Sequence, residues 1–326
     1  MTLPRKPDLT TLSVFAAVVV VGGLNTVAVR FSNEELAPFW GAGLRLIAGA
    51  AILFAFVFAR GLRLPRGRAL VGVLLYGLLG FAAFYAFLYW GLIDAPAGAA
   101  ALAVSLVPLV TLVLAPLHGL ERFRWQALSG ALVSVAGIAL VFADQLDANV
   151  APLSLIALLL GAVALAESTI VIKSFPHSEA AVTNAIGLAV GAVVLLGLSI
   201  LFGEPHHVPQ RADTLVAVGY LVVIGSVLLF MGFLYVLARW TASAASYQLV
   251  FMPLVTLPAA SFLRSEPVSG AFAAGAALVL AGVYFGAIAP PIALLGRPAP
   301  AEPLAPATRL AIPGQSEAAF LPPNCP

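Results

Sequence analysis

Apolar runs of about 20 residues, separated by short polar or charged breaks, recur along the chain until about residue 289. A helix rising 1.5 Å per residue needs about that many apolar residues to cross the roughly 30 Å hydrocarbon core of a bilayer. The pattern predicts ten spans: Leu12–Val29, Leu36–Phe58, Ala69–Trp90, Ala97–Leu117, Trp125–Ala143, Leu153–Ile172, Ala180–Phe202, Thr214–Ala238, Thr241–Phe262 and Val268–Ala289. They group as a first set over residues 12–143 and a second over 153–289, joined by a linker at 144–152 and preceded by an N-terminus of residues 1–11. Residues 290–326 are rich in Pro and Ala without periodicity, and a disordered tail is expected there.

Composition agrees with the pattern. Apolar residues make up 62% of the chain and charged residues 9%, with a mean hydropathy of +1.06. A soluble domain carries roughly a quarter charged residues, so the expected class is an all-α integral membrane protein. A net charge of +2 offers no concentrated basic surface for nucleic acid. The lone Cys325 gives no disulfide framework, and the four histidines show no HExxH spacing. The first run follows Arg5 and Lys6 as a signal peptide would. It is as long as a full span, with no small-residue cleavage site before Arg30, so a retained helix is expected.

Charge in the breaks predicts orientation. With the N-terminus inside, the inner segments hold Arg5, Lys6, Arg60, Arg63, Arg66, Arg68, Arg122, Arg124, Lys173, Arg239, Arg297 and Arg309. The outer segments hold only Arg30, Arg211 and Arg264. This is the positive-inside bias, and it puts both termini in the cytoplasm of a bacterial inner-membrane protein.

The string PLVTL at Pro108–Leu112 returns at Pro253–Leu257, an offset of 145. The same offset carries Gly80 onto Gly225, Glu121 onto Glu266, Gly130 onto Gly275 and Gly137 onto Gly282. A repeat of five spans, an odd number, enters the membrane from opposite sides in its two copies. The predicted fold is therefore two inverted five-helix repeats, an arrangement secondary transporters use to build one midplane site with two exits.

The first-span sequence GGLNTVAVR, the Arg45-bearing second span, and the pattern of small residues, PLV, Glu121 and glycines seven apart resemble the drug/metabolite transporter superfamily. Within it they resemble the ten-helix EamA-type exporters, and among these the bacterial exporters of aromatic and other amino acids. The resemblance covers about residues 10–290. The chain departs from the family pattern at Leu120-Glu121 and Ser265-Glu266, where Gly-Glu is usual, and at Gly22-Gly23, where a tryptophan commonly precedes the glycine. The resemblance places Asn25 where the first helix faces the cavity.

Polar groups inside apolar spans are the candidate chemistry. Arg45 and Glu167 both fall well inside predicted spans, where an unpaired ionisable group costs several kcal/mol and is a functional candidate by default. Arg45 suits a substrate carboxylate; Glu167 suits an ammonium group or a coupling proton. A buried ion pair between the two is the structural alternative. Asn25, Ser246 and Tyr247 are further substrate-binding candidates, against simple interhelical hydrogen bonding. Phe81, Tyr85 and Tyr89 recur every four residues on one helix face, and Tyr85 is the candidate among them to meet an apolar substrate group. Pro108 and Pro253 are expected to kink the fourth and ninth spans and shape the cavity, freeing the carbonyls of Val104 and Leu249. Glu121 and Glu266 are expected to sit at the N-termini of the last helix of each repeat.

These readings converge on a secondary transporter that exports small metabolites, most naturally amino acids, by alternating access, with lipid and a small-molecule substrate as its partners. No Walker A pattern, G-x-S-x-G elbow or metal-binding His pair is present, so neither an enzyme nor a resident cofactor is expected. Efflux of lipophilic drugs or cations, and a passive metabolite channel, are the alternatives.

Overall fold

Asp8 accepts a 2.9 Å hydrogen bond from the Thr11 N–H and so caps α1, Leu9–Ser32. Pro38 opens α2, Pro38–Ala59, and Pro152 opens α6, Pro152–Ser174. At a first helical position the missing N–H costs nothing. The computed structural model describes residues 8–95, 97–143, 151–264 and 271–288. The N-terminal residues 1–7, most of the expected linker, the residues around Glu266 and the expected tail lie outside the described residues.

Every element described is helical or a turn between helices. Beyond α1, α2 and α6, the long rods are α3 (Arg68–Gly91), α4 (Ala99–Leu117), α7 (Ala180–Leu201) and α8 (Ala212–Arg239). These seven are long and apolar enough to cross a membrane. Shorter helices fill the remaining places: α5 (Trp125–Val141), α9 (Ala242–Ser246 followed by Gln248–Arg264) and α10 (Ala271–Val283 continued by a π turn over Tyr284–Ile288).

The packing is reciprocal between α1–α5 and α6–α10. Helix α2 lies along α7, and α5 lies along α10. Helix α1 crosses to α8 and α9, while α6 crosses to α3 and α4. Glycine makes the α5–α10 approach possible. A Cβ at Gly130 would stand 2.4 Å from the Gly286 Cα and 2.5 Å from the Gly282 oxygen, and one at Gly137 would stand 2.7 Å from the Gly275 oxygen. The offset of 145 maps Gly130 onto Gly275 and Gly137 onto Gly282, so each glycine meets its partner's counterpart. That is the self-complementary pattern of a two-fold seam.

The same offset relates two interruptions. Helix α3 contains a π segment at Leu78–Ala83 and α8 one at Val223–Leu228, and adding 145 to the first range gives the second. Single π turns inside α-helices concentrate at functional positions. The prolines are less symmetric than PLVTL suggests. Helix α4 breaks at Leu106, and Pro108 then occupies the first turn of the segment Val107–Leu117. Helix α9 breaks at Tyr247, six residues before Pro253, which sits inside the continuous segment Gln248–Arg264. Only Pro108 is placed where its missing N–H would be unpaired anyway. Both prolines are buried in side-chain packing.

Glutamates fasten α1–α5 to α6–α10 at the helix ends. Gly119 and Gly203, at φ +69° and +66°, let the chain reverse after α4 and α7. The next N–H groups, of Leu120 and Glu204, return to the Ala115 and Ser199 carbonyls. Glu204 then accepts from the Phe39 and Trp40 N–H groups at 3.1 and 2.8 Å, capping α2. Glu121 accepts from the Ser243 N–H at 3.1 Å. It serves the start of α9 rather than its own next helix α5, a correction to the sequence expectation. The macrodipole argument holds; tertiary packing chooses which N-terminus is served.

Glu35 accepts from the Arg211 N–H at 3.0 Å and from the Gln210 N–H at 3.3 Å. Desolvation pushes its carboxyl up, but these accepted bonds outweigh it and hold the group below its ordinary 4.5. A lowered folded value means that its contribution is present above the ordinary value and lost as pH falls through the folded one. Glu35→Gln is therefore expected to speed hydrogen exchange at Gln210 and Arg211 near pH 7. As pH falls through the folded value and the carboxylate takes up its proton, variant and parent should come to exchange alike. Equal exchange near neutral pH would remove this tether.

Candidate functional site

Arg45 lies two turns in from the start of α2 and is only 3% exposed. Its guanidinium carbon stands 4.8 Å from the Tyr85 ring centroid, on α3. Among the described residues its Nε and Nη1 have no hydrogen-bond partner. Cation–π contact offsets part of the desolvation of a buried guanidinium, but directed donors left empty at that depth carry a large cost.

Aromatic rings surround it. Tyr85 stacks on Tyr89 at 6.0 Å, and Tyr89 meets Phe39 edge-on at 6.0 Å. Phe39 stacks on Phe202 at 5.7 Å, at the α2 end capped by Glu204. Deeper in, Phe81 meets Tyr76 at 5.4 Å and Phe230 at 4.7 Å, both edge-to-face. The predicted stripe Phe81–Tyr85–Tyr89 thus divides its work. Phe81 is core, while half-buried Tyr85 is the ring against Arg45. Elsewhere on α3, Tyr76 donates its hydroxyl to the Asn184 Oδ1 at 3.4 Å.

Asn25 lies two turns before the end of α1, at the α8 π segment. A Cβ at Gly225 would stand 2.0 Å from the Asn25 Oδ1, which is buried and has no hydrogen-bond partner among the described residues. Ser226, the next residue of that segment, is 1% exposed and its Oγ is likewise unpartnered. Ser226 and Tyr76 carry no periodic signal that marks them in sequence. The one available clue is the offset that equates Gly225 with Gly80.

The other candidates lie elsewhere. Glu167 is two turns before the C-terminus of α6 and 26% exposed, and its Oε1 stands 3.1 Å from the His118 Nε2. The α6 and α2 C-terminal ends share one cleft, so Glu167 and Arg45 lie toward opposite ends of the bundle and do not pair. The structural alternative of an Arg45–Glu167 ion pair is therefore not realised. His118 Nδ1 lies 3.0 Å from the Leu114 oxygen, and donation there leaves Nε2 without a proton in the neutral ring.

Ser246 donates to the Ser243 carbonyl at 2.8 Å within its own turn. Tyr247 donates to the Ala127 carbonyl at 3.2 Å and is buried in the α5–α9–α10 cluster, beside Gly286. The Tyr247 bond is the interhelical role weighed for it in sequence, whereas the Ser246 hydroxyl is spent inside its own helix.

The shared cleft, about 630 Å³, is lined by Arg63, Lys173, His177, Glu179 and Arg239 where the α2, α6 and α8 C-termini meet the α3 and α7 N-termini. Lys173 Nζ donates to the Trp240 carbonyl there. Among the described residues no three His, Cys, Asp or Glu side chains group as a metal site.

The arrangement is one of a helical membrane protein with unsatisfied polar groups in its core, and the comparisons agree with it. An uncharacterized transporter of Archaeoglobus fulgidus is 30% identical over 274 residues, covering 83% of this chain and 96% of its own. The uncharacterized inner membrane transporter YedA of Escherichia coli is 27% identical, covering 78% of this chain and 82% of its own. A probable terminal-alkyne amino-acid exporter of Streptantibioticus cattleyicolor is 26% identical over 77% of each chain. The model of the EamA-like transporter family matches twice, at residues 9–143 and 152–287, and the chain belongs to that family of membrane transporters.

Proposed function

We propose that this transporter exports small carboxylate-bearing metabolites, amino acids foremost, by alternating access through a site at Arg45. The observation that carries the reading is the buried guanidinium with two empty donor positions, pressed on the Tyr85 ring. A planar fork of donors fits a carboxylate, and an aromatic wall beside it receives an apolar side chain. Two inverted five-helix repeats, with all ten rods spanning and both termini cytoplasmic, give the site its two exits. The crosswise glycine seam and the matched π segments support that topology. YedA's description supports the bacterial inner membrane, and the Streptantibioticus relative's supports amino-acid export. Asn25 and Tyr85 join Arg45 at the site. Pro108 and Pro253 shape the helices around it, and Glu167 with His118 carries the coupling proton.

Counterflow in proteoliposomes tests this directly. Internal unlabelled amino acid is expected to drive transient accumulation of the labelled one. No accumulation across a broad amino-acid panel would defeat the reading, as would flux without counterflow, which marks a passive channel. Under an imposed proton gradient, Glu167→Gln and His118→Gln are both expected to keep exchange and lose gradient-driven uphill transport. Uphill transport at parental rates would remove the pair as proton carrier.

A further inference from the structure

The two copies of the repeat are alike in backbone and opposite in chemistry where α2 and α7 meet the π segments. On α2, Gly49 faces the α8 segment, and a Cβ there would stand 3.2 Å from the Ser226 Cβ and 3.8 Å from the Val222 oxygen. Its counterpart Gly191 on α7 faces the α3 segment, where a Cβ would stand 2.5 Å from the Phe81 Cβ. Matching Gly49 to Gly191 sets Arg45 opposite Gly187, and the offset of 145 sets Ser226 opposite Phe81. One copy thus pairs a large polar residue with a small one. The other pairs glycine with a phenyl ring, whose Cε2 would lie 3.0 Å from a Cβ at Gly187.

The first helices repeat the contrast. Ser168 on α6 lies over Gly80, its Oγ 2.9 Å from where a Cβ would be, and it satisfies itself by donating to the Leu165 carbonyl at 2.7 Å. Asn25 on α1 lies over Gly225, and its Oδ1 accepts from no described group. In the apolar copy Phe81 fills the space over Gly187 and Gly191 and Ser168 satisfies itself, while Asn184 Nδ2 is left without a partner among the described residues. The polar copy presents unpaired oxygens at Asn25 and Ser226, on either side of the Gly225–Ser226 step, and unpaired donors at Arg45 one helical turn from Gly49.

Those vacancies are complementary in type. Arg45 offers N–H donors only, so its partner is an anion; Asn25 Oδ1 is an acceptor only, so its partner is a donor. We propose that Asn25 and Ser226, against the π segment of α8, form an ammonium subsite beside the Arg45 carboxylate subsite, which makes zwitterionic amino acids the substrate class. The proposal rests on the reading of Arg45 given above. The zwitterion adds no net charge beside the buried Arg45 cation, and the neutral oxygens of Asn25 and Ser226 accept from its ammonium group without an acidic residue. An amine lacking the carboxylate meets an uncompensated buried cation. An acid lacking the ammonium leaves two buried oxygens unpaired, a loss worth about tenfold in affinity.

The full-length protein in proteoliposomes is tested by exchange of two matched series, one bearing a benzyl and one an isobutyl side chain. Each contains the amino acid, the deaminated acid and the decarboxylated amine. The parent is expected to favour the amino acid over the acid by about tenfold and to exclude the amine. Asn25→Leu and Ser226→Ala are expected to weaken the amino acid about tenfold and leave the acid unchanged. Asn25→Asp is expected to admit the amine, a gain that misfolding does not produce. Equal exchange of acid and amino acid by the parent, equal losses for both in the variants, or an inert Asn25→Asp would each overturn the ammonium subsite while leaving Arg45 in place. Exchange of neither carboxylate-bearing compound would overturn the Arg45 reading itself.

Discussion

Arg45→Gln is expected to lower exchange of a carboxylate substrate by about tenfold to a hundredfold while making the empty transporter more stable. The two effects have one origin. A hydrogen bond between charged partners contributes about 1.5–3 kcal/mol, and at about 1.4 kcal/mol per decade that is the stated loss. Without substrate the same guanidinium is buried with Nε and Nη1 unpartnered. Removing an uncompensated buried charge returns a few kcal/mol, of which the lost cation–π contact with Tyr85 takes back about 1. The thermal midpoint in detergent is therefore expected to rise and the rate of exchange to fall. A structural Arg45 gives the opposite sign, with midpoint and transport falling together. Measuring both on the same preparation separates the two.

Gly130→Val is expected to destabilise the folded protein by about 3 kcal/mol or more. A Cβ at Gly130 meets the Gly286 and Gly282 backbone, which cannot rotate aside as a side chain would. Inserting atoms into a packed seam costs about 1–3 kcal/mol even where side chains yield, and helices in a bilayer rely on such small-residue contacts for association. Gly219 is the control, because a Cβ there meets nothing within 4 Å. Gly219→Ala is expected to be neutral or slightly stabilising, as alanine is the better helix former by about 1 kcal/mol. Thermal denaturation and detergent-solubilised yield should separate the variants widely. Similar midpoints would mean that the α5–α10 seam does not hold the protein together.

Asymmetry between the copies underlies the proposed site. The π segments coincide under the repeat offset, as do the glycines beneath them. Backbone symmetry of this kind fits the alternating access proposed above, in which each copy adopts the conformation of the other. Side chains need no such symmetry. Arg45 and Ser226 on one side and Gly187 and Phe81 on the other would give the proposed site a polar wall and an apolar wall from one duplicated backbone.

The apolar runs, the break charges and the repeated PLVTL together determine a helical membrane protein with a duplicated body. Run length against bilayer thickness and the offset of 145 are local properties, legible in a linear string. Arg45 was legible for the same reason, because a guanidinium inside an apolar span stands out without coordinates. The partners were not legible. Glu167 joins His118 rather than Arg45, Glu121 caps α9 rather than α5, and Tyr247 serves the α5–α9–α10 seam. Each outcome depends on which helix faces which and how each is rotated, and an apolar helix in a bilayer carries little periodicity from which to read its rotation. Only tertiary structure brought Asn25 onto Gly225 and left its oxygen, with Ser226 and Arg45, buried and unpaired, because which groups meet across helices depends on how each helix is rotated.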